Sequence, residues 1–268
     1  MDLQLSGKLA LVTGSTAGIG LAIGSALAGE GATVIINGRS EERVTEAIQT
    51  IRQKHPQGKL EALVDDLSKV EAVKQATSRF PHVDVLINNL GHYEVKAFED
   101  ISDEAWTAII ETNFMSGVRL SRHYLPKMKA KNWGRIIFIS SESAINIPVE
   151  MIHYGVTKTM QLALARGLAE TTAGTSVTVN SILAGPTRSE GVEQFVNDMA
   201  KSRHVEPSVV EKEFFETVRP SSLLKRFATI DEVASLVAFV ASPLSSATNG
   251  ADGSGRTTSR PPERPLPT

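Results

Sequence analysis

Short apolar runs alternate with longer mixed stretches along most of the chain. Leu9–Val12, Thr33–Ile36, Leu60–Val64, Val83–Ile87 and Gly134–Ile139 are apolar almost throughout. Such runs predict strands buried on both faces, as in a parallel sheet. Ser176–Leu183 is a sixth, alternating in its first half. Between the strands lie stretches with helical character. Leu21–Gly29 is small-residue-rich and is broken by Gly31. Ser40 reads as an N-cap, with Glu41 and Glu42 in the first turn, for a helix reaching about His55 and ended by Pro56-Gln57-Gly58. Further helices are predicted from Ser68 to near Arg79, after Ser102, from about Glu111 to Lys131, and from about Ile152 to Thr171. Three more fall near Gly191–Ala200, Pro207–Thr217 and Asp231–Ala241.

Strand and helix alternate from end to end, so an α/β doubly wound parallel sheet in three αβα layers is expected, with residues 1–250 as one domain. Such a sheet carries its ligands at the carboxyl ends of its strands. The polar punctuation of this chain falls there: a glycine turn after the first strand, Asp66-Leu67 after the third, Asn88-Asn89 after the fourth and Ser140-Ser141 after the fifth. After Gly250 the composition turns to Gly, Ser, Thr, Arg and Pro with almost nothing to bury, so residues 251–268 are expected to be a disordered tail.

Composition narrows the function classes. The 268 residues are 41% hydrophobic and 22% charged, with net charge −2, which is no electrostatic footprint for nucleic acid or an anionic membrane. No stretch approaches the roughly 20 apolar residues of a membrane span. With no cysteine there is neither a disulfide framework nor a thiol nucleophile, and the six histidines show no metal-ligand spacing. A cytoplasmic protein without a metal is expected.

The chemistry-bearing residues lie at two places. Thr13-Gly14-Ser15-Thr16-Ala17-Gly18-Ile19-Gly20 joins the first strand to the first helix. Gly14 permits a tight turn, Gly18 a close backbone approach and Gly20 close helix–strand packing, so the helix N-terminus can receive a pyrophosphate. Tyr154 and Lys158, four residues apart, share one helix face with β-carbons about 5–6 Å apart. An ammonium beside a phenol favours the phenolate, so Lys158 is expected to lower the pKa of Tyr154 and fit it for proton transfer. A serine hydroxyl at the end of the fifth strand can hold a carbonyl oxygen in front of that phenol. His92 and Tyr93 are candidates for a substrate cleft. Phe195, Met199, Phe214 and Phe215 suggest an apolar lid over it or helices packed on the body.

Together, Thr13-Gly14-x-x-x-Gly18-Ile19-Gly20, Asn88-Asn89-x-Gly91, Asn113, Ser141 and Tyr154-x-x-x-Lys158 resemble the short-chain dehydrogenase/reductase family, over about Ser6 to Gly250. The 3-oxoacyl-carrier-protein reductase branch is one assignment within it. The resemblance implies a Rossmann-type sheet and an enzyme moving hydride between NAD(H) or NADP(H) and a carbonyl or alcohol of a small molecule. It implies Tyr154 as catalytic acid/base, Lys158 as its partner on the nicotinamide ribose, Ser141 (rather than Ser140) on the substrate oxygen, and Asn113 in a water-linked proton relay to the lysine. Gly14, Ser15, Thr16, Gly18, Ile19, Gly20, Asp66, Leu67, Asn89, Gly91 and Thr187 are implied cofactor contacts, together with Tyr154 and Lys158. Gly38 stands where NAD-preferring relatives carry an acidic residue, and Arg39 follows it, so NADP(H) is favoured, with Arg39 on the 2′-phosphate. A homodimer or homotetramer is implied as well.

Leu90 and Ala184 depart mildly from the family pattern. The larger departure follows Asn249-Gly250, where members continue into a seventh strand and this chain has its Arg/Pro-rich run. A sheet lacking that strand is expected, and a shifted reading frame or altered terminus would account for it. A cofactor-binding sensor or partner subunit without turnover is the second expectation.

Overall fold

The computed structural model describes residues 1–220 and 222–251. A six-stranded sheet forms the centre, built from β1 (Leu9–Val12), β2 (Thr33–Gly38), β3 (Lys59–Val64), β4 (Val85–Asn88), β5 (Gly134–Ser141) and β6 (Val177–Ala184). Its order is β3-β2-β1-β4-β5-β6, all neighbours parallel. Between the strands run α1 (Gly18–Gly29), α2 (Glu41–Lys54), α3 (Val70–Arg79), α4 (Asp103–Ile110), α5 (Ser116–Lys131) and α6 (Ile152–Glu170). The expected doubly wound α/β architecture is thus the observed one.

Successive strand residues point to opposite faces. Val12, Val34, Ile36, Ile87, Ile137 and Ile139 pack with Ile23, Leu27 and Ile51 on one side. Their neighbours Leu11, Ile35, Leu86, Ile136 and Phe138 pack with Val73, Tyr124 and Ala165 on the other. This two-sided burial is why the strands read as unbroken apolar runs. β2 and β5 each extend two residues beyond the expected Ile36 and Ile139, so Ser140 and Ser141 are strand residues paired to Leu183 and Ala184 of β6.

The helix expected from Glu111 continues directly from α4. A widened π turn at Glu111–Met115 joins α4 to α5, with helical backbone at both junctions. π turns are often placed at functional sites, and this one holds Asn113.

Beyond β6, a two-residue parallel pair, β7 (Thr187–Arg188) with β8 (Ala228–Thr229), closes a segment carrying α7 (Glu190–Arg203) and α8 (Pro207–Glu213). These helices have their own small core of Val196, Ala200, Val210, Phe215 and Phe227. Helix α9 (Ile230–Ala241) returns to the sheet beside α1. Among the described residues no seventh strand joins the sheet. The chain nonetheless starts along the free edge of β6: Gly250 N donates to Val179 O and Ser181 N to Ala251 O, both at 2.9 Å. Ala251 therefore belongs to the folded body, a correction to the expected tail boundary, and the rest of that expectation lies outside the described residues.

Candidate active site

The glycine turn is built for close approach. Gly14 and Gly18 adopt φ of 60° and 54°, which side chains disfavour. A Cβ at Gly20 would stand 2.4 Å from the Gly14 carbonyl oxygen and 2.5 Å from Asn89 Nδ2. The end of β4 is lashed to this turn. Thr13 Oγ1 donates to Ile87 O at 3.2 Å and accepts from the amides of Asn89 and Leu90 at 2.9 Å. Asn89 Nδ2 donates to the carbonyls of Thr13 and Gly14 at 2.9 Å. Helix α1 starts without a side-chain cap, so its first amides are left to water or an anion.

Three expected contacts behave differently. The Ser15 hydroxyl donates to Val12 O at 2.7 Å and accepts from Asn37 N at 2.9 Å, and its amide donates to Asn37 O at 2.9 Å. Ser15 builds the turn and keeps no donor for a ligand. Leu67 is a core side chain. Asp66 Oδ1 accepts from the Ser68 amide at 3.1 Å and hydroxyl at 2.7 Å, shaping the loop. At the end of β2, a Cβ on Gly38 would lie 2.4 Å from Thr16 Cγ2. A side chain there would require the Thr16 methyl to move aside. Arg39 is exposed, and among the described residues it makes no ion pair, so it is not consumed by Glu41 or Glu42.

Across the sheet edge, Ser141 and Tyr154 come together as lining of the same two cavities, and the Ser141 hydroxyl accepts from Ser143 N at 3.1 Å. Ser140 is committed elsewhere: its hydroxyl donates to Lys158 O at 3.0 Å, tying β5 to α6. That geometry separates the two serines. Gly155 lets α6 press on the loop after β5, since a Cβ there would meet Ile147 Cγ2 at 2.7 Å. Lys158 is buried, its Nζ donating to Ile139 O at 2.8 Å and lying 5.6 Å from the Tyr154 ring centroid. Asn113 braces the loop after β4: its Oδ1 accepts from His92 N at 2.7 Å, and its Nδ2 donates to His92 O at 2.8 Å and to Thr157 Oγ1 at 3.0 Å.

One expectation is corrected. Tyr154 is raised above its ordinary value, not lowered, because burial dominates. The neighbouring Ser141 hydroxyl opposes this, while Tyr93 and Glu142 add to the rise. Lys158 points its ammonium at a strand carbonyl and is itself pushed down to about 8 by burial. Desolvation thus drives both groups towards neutrality, outweighing the attraction that sequence spacing suggests.

This has a consequence for stability. Below pH 8 Lys158 is charged in both states. Between about 8 and its ordinary 10.5 the unfolded chain holds the proton that the folded chain has lost, so stability rises with pH there. The contribution is fully present above 10.5 and is lost as pH falls through about 8. The stability of the native protein relative to Lys158→Met is expected to rise by up to roughly 3 kcal/mol across that window, read by urea unfolding. A pH-independent difference contradicts the buried cation.

Two cavities meet at the Ser141–Tyr154 pair. The smaller, about 240 Å³, is lined by Ile19, Asn89, Gly91, Lys158 and Thr187 together with that pair. The larger, about 620 Å³, opens under α7 and α8. Tyr93, Ser141, Tyr154 and Thr187 line both. Phe195, Met199 and Phe214 face the larger cavity as an apolar lid would, whereas Phe215 is buried beneath them.

Several participants escape sequence reasoning. Gln161, one helical turn past Lys158, is buried with its Nε2 on Asn113 O at 2.5 Å and its Oε1 3.5 Å from Lys158 Nζ. It links Asn113 to Lys158. The i, i+3 spacing on α6 was the available signal. Glu142 and Arg219 pair at 2.7 Å across 77 positions, a distance in sequence that offers no local signal. His153 turns away from the site, packing edge-on to Trp106 at 5.9 Å, and among the described residues its ring nitrogens have no hydrogen-bond partner.

A family model described as short chain dehydrogenase matches residues 8–200. The uncharacterised oxidoreductase YvaG of Bacillus subtilis (strain 168) is 47% identical over 251 residues, covering 94% of this chain and 95% of that one. D-β-hydroxybutyrate dehydrogenase of Cupriavidus necator is 34% identical, covering 92% and 96%. Among solved structures, L-sorbose reductase from Gluconobacter frateurii, in complex with NADPH and L-sorbose, superposes with TM-score 0.86 at 28% identity, covering 96% of this chain and all of that one. No helix among the described residues is long and apolar enough to cross a membrane. Over a span that takes in the glycine turn, Ser141, Tyr154 and Lys158, the chain belongs to the short chain dehydrogenase family.

Proposed function

We propose that the protein transfers hydride between NADP(H) and a small carbonyl or alcohol substrate, with Tyr154 as the acid/base. One observation carries this reading: the Ser141 and Tyr154 hydroxyls lie at the junction of two contiguous cavities. A carbonyl oxygen held by both hydroxyls faces the small cavity with its carbon. The fit of a dinucleotide rests on the uncapped start of α1, the two left-handed glycines and the missing Cβ at Gly20. NADPH, when bound, supplies a hydride from nicotinamide C4. Tyr154 then gives its proton to the carbonyl oxygen as the alcohol forms, and Ser141 holds that oxygen in line. Lys158 and Asn113 hold the floor and the neighbouring loop in place.

Burial keeps Tyr154 a phenol through neutral pH, the form that carbonyl reduction needs. Reduction is expected to be flat around neutrality and to fall in alkali as the phenol ionises, while alcohol oxidation rises over the same range.

NADP(H) over NAD(H) rests on the missing carboxylate at Gly38 and on the exposed Arg39, which makes no ion pair among the described residues. It is supported by the NADPH complex of the sorbose reductase neighbour. In a carbonyl-reduction screen, kcat/KM with NADPH is expected to exceed that with NADH by at least about tenfold, and Arg39→Ala to remove most of the difference. Equal use of both cofactors by the native protein sinks the assignment of Arg39.

A further inference from the structure

We infer that the larger cavity takes an uncharged, largely apolar ketone or alcohol, and that the Arg219–Glu142 pair excludes carboxylate-bearing substrates. The inference rests on the reading of this site as the substrate side of a hydride-transfer centre. Three observations carry it.

The cavity, at about 620 Å³, lies within the roughly 300–1,000 Å³ that encloses a drug-sized ligand. Its walls are mainly apolar, with Val192, Val196, Met199, Val210, Phe214 and Phe227 among them. Tyr93, Val95, Phe195 and Val218 line it while remaining 56%, 67%, 55% and 44% exposed. Apolar side chains held open at the mouth of a cleft favour an apolar body passing between them.

The charges do not favour an acid. Among the described residues the lining cations are Arg203 and Arg219, and both are already engaged. Arg219 Nε donates to Glu142 at 2.7 Å, and its Nη1 lies 3.9 Å from Glu150. Arg203 grips Glu213 through both terminal nitrogens, at 2.6 and 3.0 Å. Three carboxylates thus stand against two guanidiniums, and Glu142 directly follows Ser141. A substrate carboxylate would enter without a free counter-ion and would face the Glu142 charge near the reacting oxygen. Burying an unpaired charge costs far more than burying an alkyl chain or a hydrogen-bonded carbonyl.

The test uses the NADPH complex of the full chain and two ligands of equal length, octanamide and octanoate, in calorimetry. Octanamide is expected to bind at least about tenfold more tightly than octanoate. Glu142→Gln frees Arg219 and is expected to shrink that ratio at least severalfold. Octanoate binding as well as or better than octanamide overturns the inference, as does failure of both to bind. An unchanged ratio in Glu142→Gln overturns the role given to the pair. Turnover of 2-octanone against 7-oxooctanoate then separates the two levels. If octanamide wins but neither ketone is reduced, the cavity's preference stands and the hydride-transfer reading falls.

Discussion

Replacing Tyr154 by phenylalanine is expected to lower kcat for carbonyl reduction by roughly 10²- to 10⁴-fold, the span that a positioned acid/base contributes. The ring stays, so its edge-to-face packing on Tyr93, at 6.2 Å between centroids, is retained. What is lost is the hydroxyl, which stands beside Ser141. NADPH binding is expected to change by less than about tenfold, because the glycine turn and α1 lie on the far side of the small cavity. The effect should therefore sit in kcat, with little in cofactor affinity, when steady-state kinetics are set beside cofactor-fluorescence titration. A variant with near-native kcat removes Tyr154 from the chemistry. A variant that loses NADPH binding instead shows that the tyrosine serves the cofactor seat.

Gly20→Ala is expected to destabilise the fold by about 1–3 kcal/mol and to weaken NADPH binding at least about tenfold. The new methyl group would meet the Gly14 carbonyl oxygen at 2.4 Å, Asn89 Nδ2 at 2.5 Å and Ser15 Cα at 2.9 Å. Two of these are backbone atoms of the turn, and the third is the strut from β4, so none can move aside alone. Alanine's better helix propensity, worth up to about 1 kcal/mol, works the other way and is outweighed. Gly167 in α6 is the internal control. A Cβ there meets nothing within 4 Å, so Gly167→Ala should stabilise by about 0.5–1 kcal/mol. Urea unfolding of the two variants side by side tests the pair. Equal effects at both positions contradict the close-approach account.

The legible parts of this molecule share a physical origin. A strand buried on both faces has to be apolar at every position, and Leu9–Val12 or Gly134–Ile139 can therefore be picked out without knowing their neighbours. The glycine turn was equally readable, since positive φ and close approach admit few other residues. Tyr154 and Lys158 were legible because a helix fixes the spacing between them.

What was misread depended on depth and on distant partners. The ionisation of Tyr154 turns on burial, and spacing carries no record of burial. Ser15 and Ser141 are the same residue type at two strand ends, yet one hydroxyl is spent on Val12 and Asn37 while the other lines both cavities. The Glu142–Arg219 pair spans most of the second half of the chain, so neither residue announces the other. Gln161 meets Asn113 where the π turn sets that residue opposite it, a contact 48 positions apart that no local pattern records. The two-residue strands β7 and β8 are too short to show any period, though their pairing brings the two ends of the α7–α8 segment together.

In the proposed reaction, hydride passes to a carbonyl carbon whose oxygen is held by Ser141 and Tyr154. The most direct test is a single-turnover reaction with NADPH carrying deuterium at nicotinamide C4 and 2-octanone as acceptor, with the product read by mass spectrometry. The deuterium is expected on the carbinol carbon of 2-octanol, from cofactor deuterated on the transferred face, at a rate that collapses in Tyr154→Phe. Octanol formed without the label from cofactor deuterated on either face, or label transfer as fast in Tyr154→Phe as in the native protein, would contradict it.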